Sequence, residues 1–302
     1  MPRSLIASLV SVRELSIRAA DGRSLTVYDA GDPDGRPIVF HHGTPASGKP
    51  FGPHVQHAQG HGVRLISYDR AGYGDSTRCA GRAVVDVARD IEAIADALGL
   101  ERFATWGLSG GGPHALATAA GLRDRVAAVA AAASVAPPDR PGFELTDGMG
   151  EGNIIEFGLA RAGEEALRPF LERETAGLDD VDLQGLIERM RTVLSDPDAA
   201  ALEGEFGDYM LDGFRRSLAR TVDGWVDDDL AFVRPWGFAL ETIQAPILVV
   251  QGRHDLMVPW SHGEWLASNL PSAEAWLRAE EGHLTLFVGV APSIHDWLLA
   301  RF

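Results

Sequence analysis

Gly107-Leu108-Ser109-Gly110-Gly111 places a serine among glycines, after an apolar run at 103–106 and ahead of a helical stretch at 112–120. A serine hydroxyl is hardly ionised at neutral pH, so it attacks a carbonyl only when a base takes its proton. Glycines on both sides suit a sharp strand-to-helix turn, where bulky neighbours would collide and where a helix N-terminus faces the reacting oxygen. G-x-S-x-G alone is a weak signal, with a purely structural turn as the alternative. The strand before it and the helix after it are the context that gives it weight.

Ten histidines are available as the base. His41, His42, His54, His57 and His61 precede the serine, and His114 lies on the helix after it. Where a serine occupies such a turn, the base comes last in the chain, on the loop after the final strand. Glu280-Glu281-Gly282-His283-Leu284 follows the strand expected at 273–278, so His283 is the candidate base. His262 reads as opening a helix and His295 as lying inside the last one. The orienting acid is expected after the preceding strand, at 246–250. Gln251-Gly252-Arg253-His254-Asp255 puts Asp255 there, with Asp139 as the alternative. Backbone N–H groups must also hold the developing oxyanion. Gly110, after the serine, supplies one. Thr44 of His42-Gly43-Thr44-Pro45 supplies the other, since Pro45 has no N–H.

These loops need a scaffold that aligns strand ends. Residues 14–30 read as a hairpin turning at Asp21-Gly22. Residues 37–40 are a short apolar run that stops at His41-His42-Gly43, as a buried parallel strand does, and 63–68 read as a strand ending at Asp69-Arg70-Ala71-Gly72. Residues 83–98 carry Val84, Val87, Ile91, Ile94 and Leu98 on one helical face, and Gly99 ends the helix. Residues 126–135 read as an alanine-rich strand. Strands alternating with helices predict a mostly parallel sheet with helices on both faces. From Pro137-Pro138 to about Trp236 no apolar strand run occurs. Helical stretches at 152–162, 164–173, 183–193 and 209–220 replace it, and strands resume at 246–250 and 273–278 before a final helix near 292–301. The expected organisation is a core of 1–136 and 237–302 interrupted by a helical cap at 137–236.

The chain has 302 residues, 45% hydrophobic and 23% charged, with net charge -16. That length suits one large α/β domain with an insertion. So acidic a chain repels nucleic-acid phosphates and anionic lipid, which argues against both as partners. A small-molecule substrate is the expected partner. The lone Cys79 can form neither an internal disulfide nor a thiolate cluster. The first twelve residues lack the long apolar run of a signal peptide, so a cytoplasmic enzyme is expected. No metal site is expected: His54, His57 and His61 have no carboxylate at ligand spacing. Asp227-Asp228-Asp229 reads as a solvated turn or helix start, not a calcium loop.

The chain resembles the α/β-hydrolase superfamily, in its lidded esterase, lactonase and peptidase-like branch. His42-Gly43-Thr44-Pro45, Asp69-Arg70-Ala71-Gly72-Tyr73-Gly74-Asp75-Ser76, Gly107 to Gly111, Gly252-Arg253-His254-Asp255-Leu256-Met257-Val258-Pro259 and Gly282-His283 carry the resemblance. It implies an eight-stranded, mostly parallel sheet. The matching residues cover the core and leave the cap without a motif. Serine at 109 argues against the dehalogenase and epoxide hydrolase members, which use aspartate there. The expected chemistry is acyl transfer to water through Ser109, without cofactor or metal, on a small, hydrophobic ester, thioester or lactone. Alternatives are a carbon–carbon bond hydrolase, a proline-iminopeptidase-like enzyme, and a hydrolase-fold receptor with slow turnover. Phe143, Met149, Ile154, Ile155, Phe157, Leu159, Trp225, Phe232, Trp236 and Phe238 are the apolar residues from which a roof over Ser109 is expected. Arg161, Arg215 and Arg216 are the contacts expected instead if charged acyl groups are preferred.

Overall fold

The computed structural model describes residues 12–138 and 140–302. Asp139, the alternative acid, lies outside the described residues, as does nearly all of the N-terminal stretch. Eight strands form one sheet: β1 (Arg13–Arg18), β2 (Ser24–Gly31), β3 (Arg36–His41), β4 (Val63–Tyr68), β5 (Phe103–Leu108), β6 (Val126–Ala132), β7 (Ile247–Gly252) and β8 (Glu274–Arg278). Their spatial order is β1-β2-β4-β3-β5-β6-β7-β8. β2 runs antiparallel to β1 and β4, and the remaining neighbours are parallel.

Helices cover both faces. α1 (Gly52–Gly60) follows β3, α2 (Val87–Ala97) follows β4 and α3 (Gly111–Gly121) follows β5. Between β6 and β7 the chain runs through α4 (Glu151–Ala162), α5 (Glu164–Thr175), α6 (Leu183–Met190), α7 (Asp196–Ala201), α8 (Glu205–Leu218) and α9 (Asp223–Phe232). α10 (Trp260–Asn269) joins β7 to β8, and a π-turn at Leu286–Val290 leads into α11 (Ala291–Leu299). None of these helices is long and apolar enough to cross a membrane.

The sheet's period of two sorts its side chains into two cores. Val39, Val129 and Ala131 join Ile91, Leu116 and Leu266 on the side of α2, α3 and α10. Ile38, Phe40, Ala130 and Ala132 join Val55, Ile294 and Leu298 on the side of α1 and α11. The alanines of β6 let α3 and α11 pack on opposite faces of the same strand. A third cluster, Ala160, Leu167, Leu171, Val222, Val226 and Leu230, ties α4, α5 and α9 to one another.

Three expectations need correction. The alanine-rich strand ends at Ala132 rather than 135, because Ala133 adopts φ 45° and turns the chain out of the sheet. α1, α7 and α9 go unread in the sequence, since none carries an extended apolar stripe. Asp227-Asp228-Asp229 is neither solvated nor a turn: it lies inside α9 with exposures of 1%, 0% and 1%. Three consecutive acids look soluble only until the fold brings their partners to them.

Candidate active site

β3 lies between β4 and β5, so the chain leaves its C-terminal end toward one neighbour and returns on the other side. Such a switch point opens a crevice at the strand ends, where open α/β sheets place ligands. The loop after β3 and the turn after β5 meet there. Ser109 sits on that turn with φ 55°, a left-handed conformation that costs a non-glycine residue on the order of 1–3 kcal/mol and recurs at functional sites. A side chain at Gly107 would overlap the backbone of Gly111, and one at Gly111 would overlap the carbonyl of His41. The glycines are therefore required by packing as well as by the turn. The Ser109 N–H donates to Ala132 O at 2.9 Å, which pins the turn to β6.

His283 and Asp255 come together from the loops after β8 and β7. His283 Nδ1 and Asp255 Oδ2 are 2.8 Å apart, and both side chains are buried. Asp255 Oδ1 accepts the N–H groups of Met257 at 2.9 Å and Val258 at 2.8 Å, and Oδ2 accepts Gln251 Nε2 at 3.1 Å. An acceptor so occupied fixes Nδ1 as the protonated ring nitrogen and leaves Nε2 free to accept. Burial resists charging the ring, but the charge and hydrogen bond of Asp255, with Asp198 beyond it, prevail and raise the His283 pKa above its usual value. The Ser109 hydroxyl makes no hydrogen bond among the described residues; it and His283 line one cavity.

Two buried aspartates from the segment between β6 and β7 hold the loops in place. Asp198, on α7, accepts the N–H groups of His283 at 2.9 Å, Leu284 at 2.6 Å and Thr285 at 3.2 Å, as well as the Ser195 hydroxyl at 2.7 Å. It caps the helical start of the segment that carries His283. Asp228, on α9, accepts Thr44 Oγ1 at 2.6 Å, Tyr73 Oη at 2.8 Å, Arg70 Nη2 at 2.6 Å and Arg82 Nη2 at 2.7 Å. Arg70 also donates to the carbonyls of His42 and Gly43. With those carbonyls held by Arg70, the loop's shape is set before any ligand arrives. Burial opposes the Asp228 charge, yet Arg70 and Arg82 hold its pKa well below the usual carboxylate range. His114 Nδ1 donates to Gly110 O, 2.7 Å away, and burial among these cations lowers its pKa to about 3.

The cavity above Ser109 is about 250 Å³ and is lined mainly by aromatic and aliphatic side chains. Thr44, Gly110, Ser109 and His283 all border it, and Asp255 stands behind His283. Of the ten expected roof residues only Phe157, Trp225 and Phe232 line it. Ile154 and Ile155 are each 46% exposed, whereas Phe143, Trp236 and Phe238 pack around the core below. Phe170, Phe206 and Phe214 complete the apolar wall. Arg161 pairs with Glu144, Arg216 with Asp212, and Arg215 binds backbone carbonyls of 178–181, so none of the three borders the cavity. Three acids, Glu156, Glu174 and Asp229, do border it. Asp198, Asp228, Glu156 and Asp229 went unrecognised because an acid's partner is not written beside it; only Arg70 lay within a quoted motif.

Away from the cavity, α11 brings Asp296 Oδ1 to 3.5 Å from His57 Nε2, beside His61. The sequence showed no carboxylate near these histidines because Asp296 is supplied by a helix more than two hundred residues away in the chain.

Residues 36–165 match the family model described as alpha/beta hydrolase fold. A non-heme chloroperoxidase of Streptomyces lividans is 28% identical over 278 residues, covering 88% of this chain and 91% of that protein. A 2-hydroxy-6-oxononadienedioate/2-hydroxy-6-oxononatrienedioate hydrolase of Paraburkholderia xenovorans is 27% identical over 289 residues, covering 93% and 91%. Among solved structures, the enol-lactonase of Burkholderia xenovorans superimposes with a TM-score of 0.71 at 20% identity, covering 95% of this chain and 100% of that one. With the sheet order, the turn at Ser109 and these matches together, the chain has the α/β-hydrolase fold.

Proposed function

We propose that the protein is a serine hydrolase that cleaves an ester, thioester or lactone of a small, predominantly hydrophobic substrate. The observation that carries this reading is the Asp255–His283 pair at the same cavity as Ser109, whose turn adjoins the Thr44 loop. His283 Nε2 takes the Ser109 proton as Oγ attacks the carbonyl carbon. The oxyanion that forms is held by the N–H groups of Thr44 and Gly110, a contribution of about a hundred- to a thousandfold per donor. His283 returns the proton to the departing alcohol, thiol or lactone oxygen. It then activates a water that cleaves the acyl-enzyme and restores the serine.

Electrostatics behind the oxyanion loop favour this step. Two guanidiniums, Arg70 and Arg82, surround one carboxylate, Asp228, and burial keeps His42 and His114 neutral. One positive charge is left over beneath Thr44, where negative charge develops. Residues 137–236 act in this reading as a cap whose aromatic side chains exclude water and set acyl preference.

The test is a short-chain p-nitrophenyl ester together with a fluorophosphonate label. Wild type turns over the ester and is labelled. Ser109→Ala does neither while keeping its thermal transition. Activity of a pure, folded Ser109→Ala within a few fold of wild type would sink the assignment. A second reading, hydrolysis at a carbon–carbon bond, is suggested by the name of the Paraburkholderia relative. That name denotes a dianion, which Glu156 and Asp229 would repel. Product analysis separates the two.

A further inference from the structure

We propose that Glu156 and Asp229 form a subsite for an ammonium group carried by the apolar substrate, a reading that rests on the serine-hydrolase assignment and names its substrate class. Glu156 comes from α4 and Asp229 from α9, and both border the cavity that holds Ser109 and His283. The two acids lie close enough that each perturbs the other's ionisation, and two such carboxyls favour sharing a proton. The Trp225 indole N–H donates to Glu156 Oε1 at 2.8 Å. Asp229 is 1% exposed, and its Oδ2 has no hydrogen-bond donor among the described residues beyond the acid it faces. No lysine or arginine pairs with either group among the described residues.

Buried acids normally have a cation or a set of N–H donors. Asp227 and Asp228, the preceding residues, have arginines. Here the partner is missing from a residue that borders the cavity, among aromatic walls that would not solvate a charge. A protonated amine supplies both what the pair lacks in charge and the donors Asp229 Oδ2 can accept, and its alkyl body suits Phe157, Phe170 and Phe232. Glu174, also at the cavity, adds negative potential. Arg189 is the one cation lining it among the described residues, and its guanidinium is held at the rim by the carbonyls of Glu174 and Ala176. Burial, first, raises the pKa of both groups; repulsion from Glu156 and Asp228 adds to it at Asp229, and repulsion from Glu174 adds to it at Glu156. The upward shifts favour keeping one proton on the pair, so that the cavity does not hold two unpaired charges.

The experiment uses n-hexylamine, 1-hexanol and hexanoate as competitive inhibitors of p-nitrophenyl ester hydrolysis at pH 7, where an alkylamine is protonated. Hexylamine is expected to inhibit at least about tenfold more tightly than hexanol, as a charge-assisted hydrogen bond requires, and hexanoate more weakly than either. In Asp229→Asn and in Glu156→Gln the hexylamine-to-hexanol ratio is expected to fall to about twofold or less. Either variant alone suffices if the other does not fold. Equal inhibition by amine and alcohol in wild type overturns the subsite, as does a ratio that survives both substitutions. Tighter binding of hexanoate overturns it in favour of Arg189. If no ester is hydrolysed, the serine-hydrolase reading fails separately. Calorimetric titration of hexylamine and hexanol into wild type and Asp229→Asn then decides the subsite on the same ratio.

Discussion

Asp228 and Asp229 are adjacent on α9, equally buried, and solvated by the protein in opposite ways. Asp228 faces down onto the loops of the core and meets two guanidiniums, a phenol and a hydroxyl. Asp229 faces the cavity and meets another acid. One keeps its charge far below the usual carboxylate range; the other is pushed well above it, by burial first and by Glu156 next. Burial is the same for both, so the partners decide. The face that anchors the chain is fully paired, and the face that looks toward substrate is left with unmet capacity. That is the division expected where part of a segment has a structural duty and part a binding one.

The comparison breaks most visibly in stability. Asp228→Ala strands Arg70 and Arg82 without an anion, and losing one partner of a buried ion pair costs about 3–5 kcal/mol. Urea unfolding should show that loss, and kcat should fall as the Thr44 loop loses its anchor. If Asp228→Ala unfolds with the midpoint of wild type, the network is not holding the loop.

Asp198 sharpens the contrast, because it is a buried acid satisfied by backbone N–H groups instead of cations. Asp198→Ala leaves several of those donors unpaired, at about 1–3 kcal/mol for each group that finds no water. The loss should appear in kcat more than in KM, since the loop it caps carries His283 and not the apolar walls. Equal kcat with a raised KM would show that Asp198 serves the cavity and not the base.

The pH profiles of the two neighbours should run in opposite directions. Asp228 binds its proton less readily folded than unfolded, so its contribution is present above the unfolded value, roughly 3.9, and is lost as pH falls below it. Asp229 binds its proton more readily folded, so its contribution is present at low pH and is lost as pH rises from about 4 through its raised folded value. Asp229→Asn should therefore flatten the decline in stability between mildly acidic and neutral pH, with a change of at most about 1 kcal/mol at low pH. Thermal unfolding across pH 4–8 checks the sign; a steeper decline in the variant would contradict it.

The smallest effect is on catalysis by wild type. His283 must be neutral to accept the Ser109 proton, and its pKa is raised, so kcat/KM should rise with pH through a single limb centred above roughly 6.5. Asp255→Asn should move that midpoint down while lowering the plateau. A flat profile from about pH 5 to 8 would remove His283 as the base.

Much of the core was legible because its rules are local. Ser109 is bounded by glycines that a tight turn demands, 37–40 and 246–250 are continuous apolar runs, and the order serine, acid, histidine follows from the strand ends that carry them. The segment from 137 to 236 was legible only as helical. Of its residues, Phe157 and Ile154 are three apart with similar hydrophobicity, yet one lines the cavity and the other is 46% exposed.

The sequence alone determined the alternation of strand and helix, the turn at Ser109 and the loops of Asp255 and His283, since periodicity, glycine placement and chain order act over a few residues. Only the tertiary structure decided that Asp198 caps the His283 segment, that Asp228 lies between Arg70 and Arg82, and that Asp229 faces Glu156. A buried charge is defined by what surrounds it, and those surroundings are assembled from residues up to 184 positions apart.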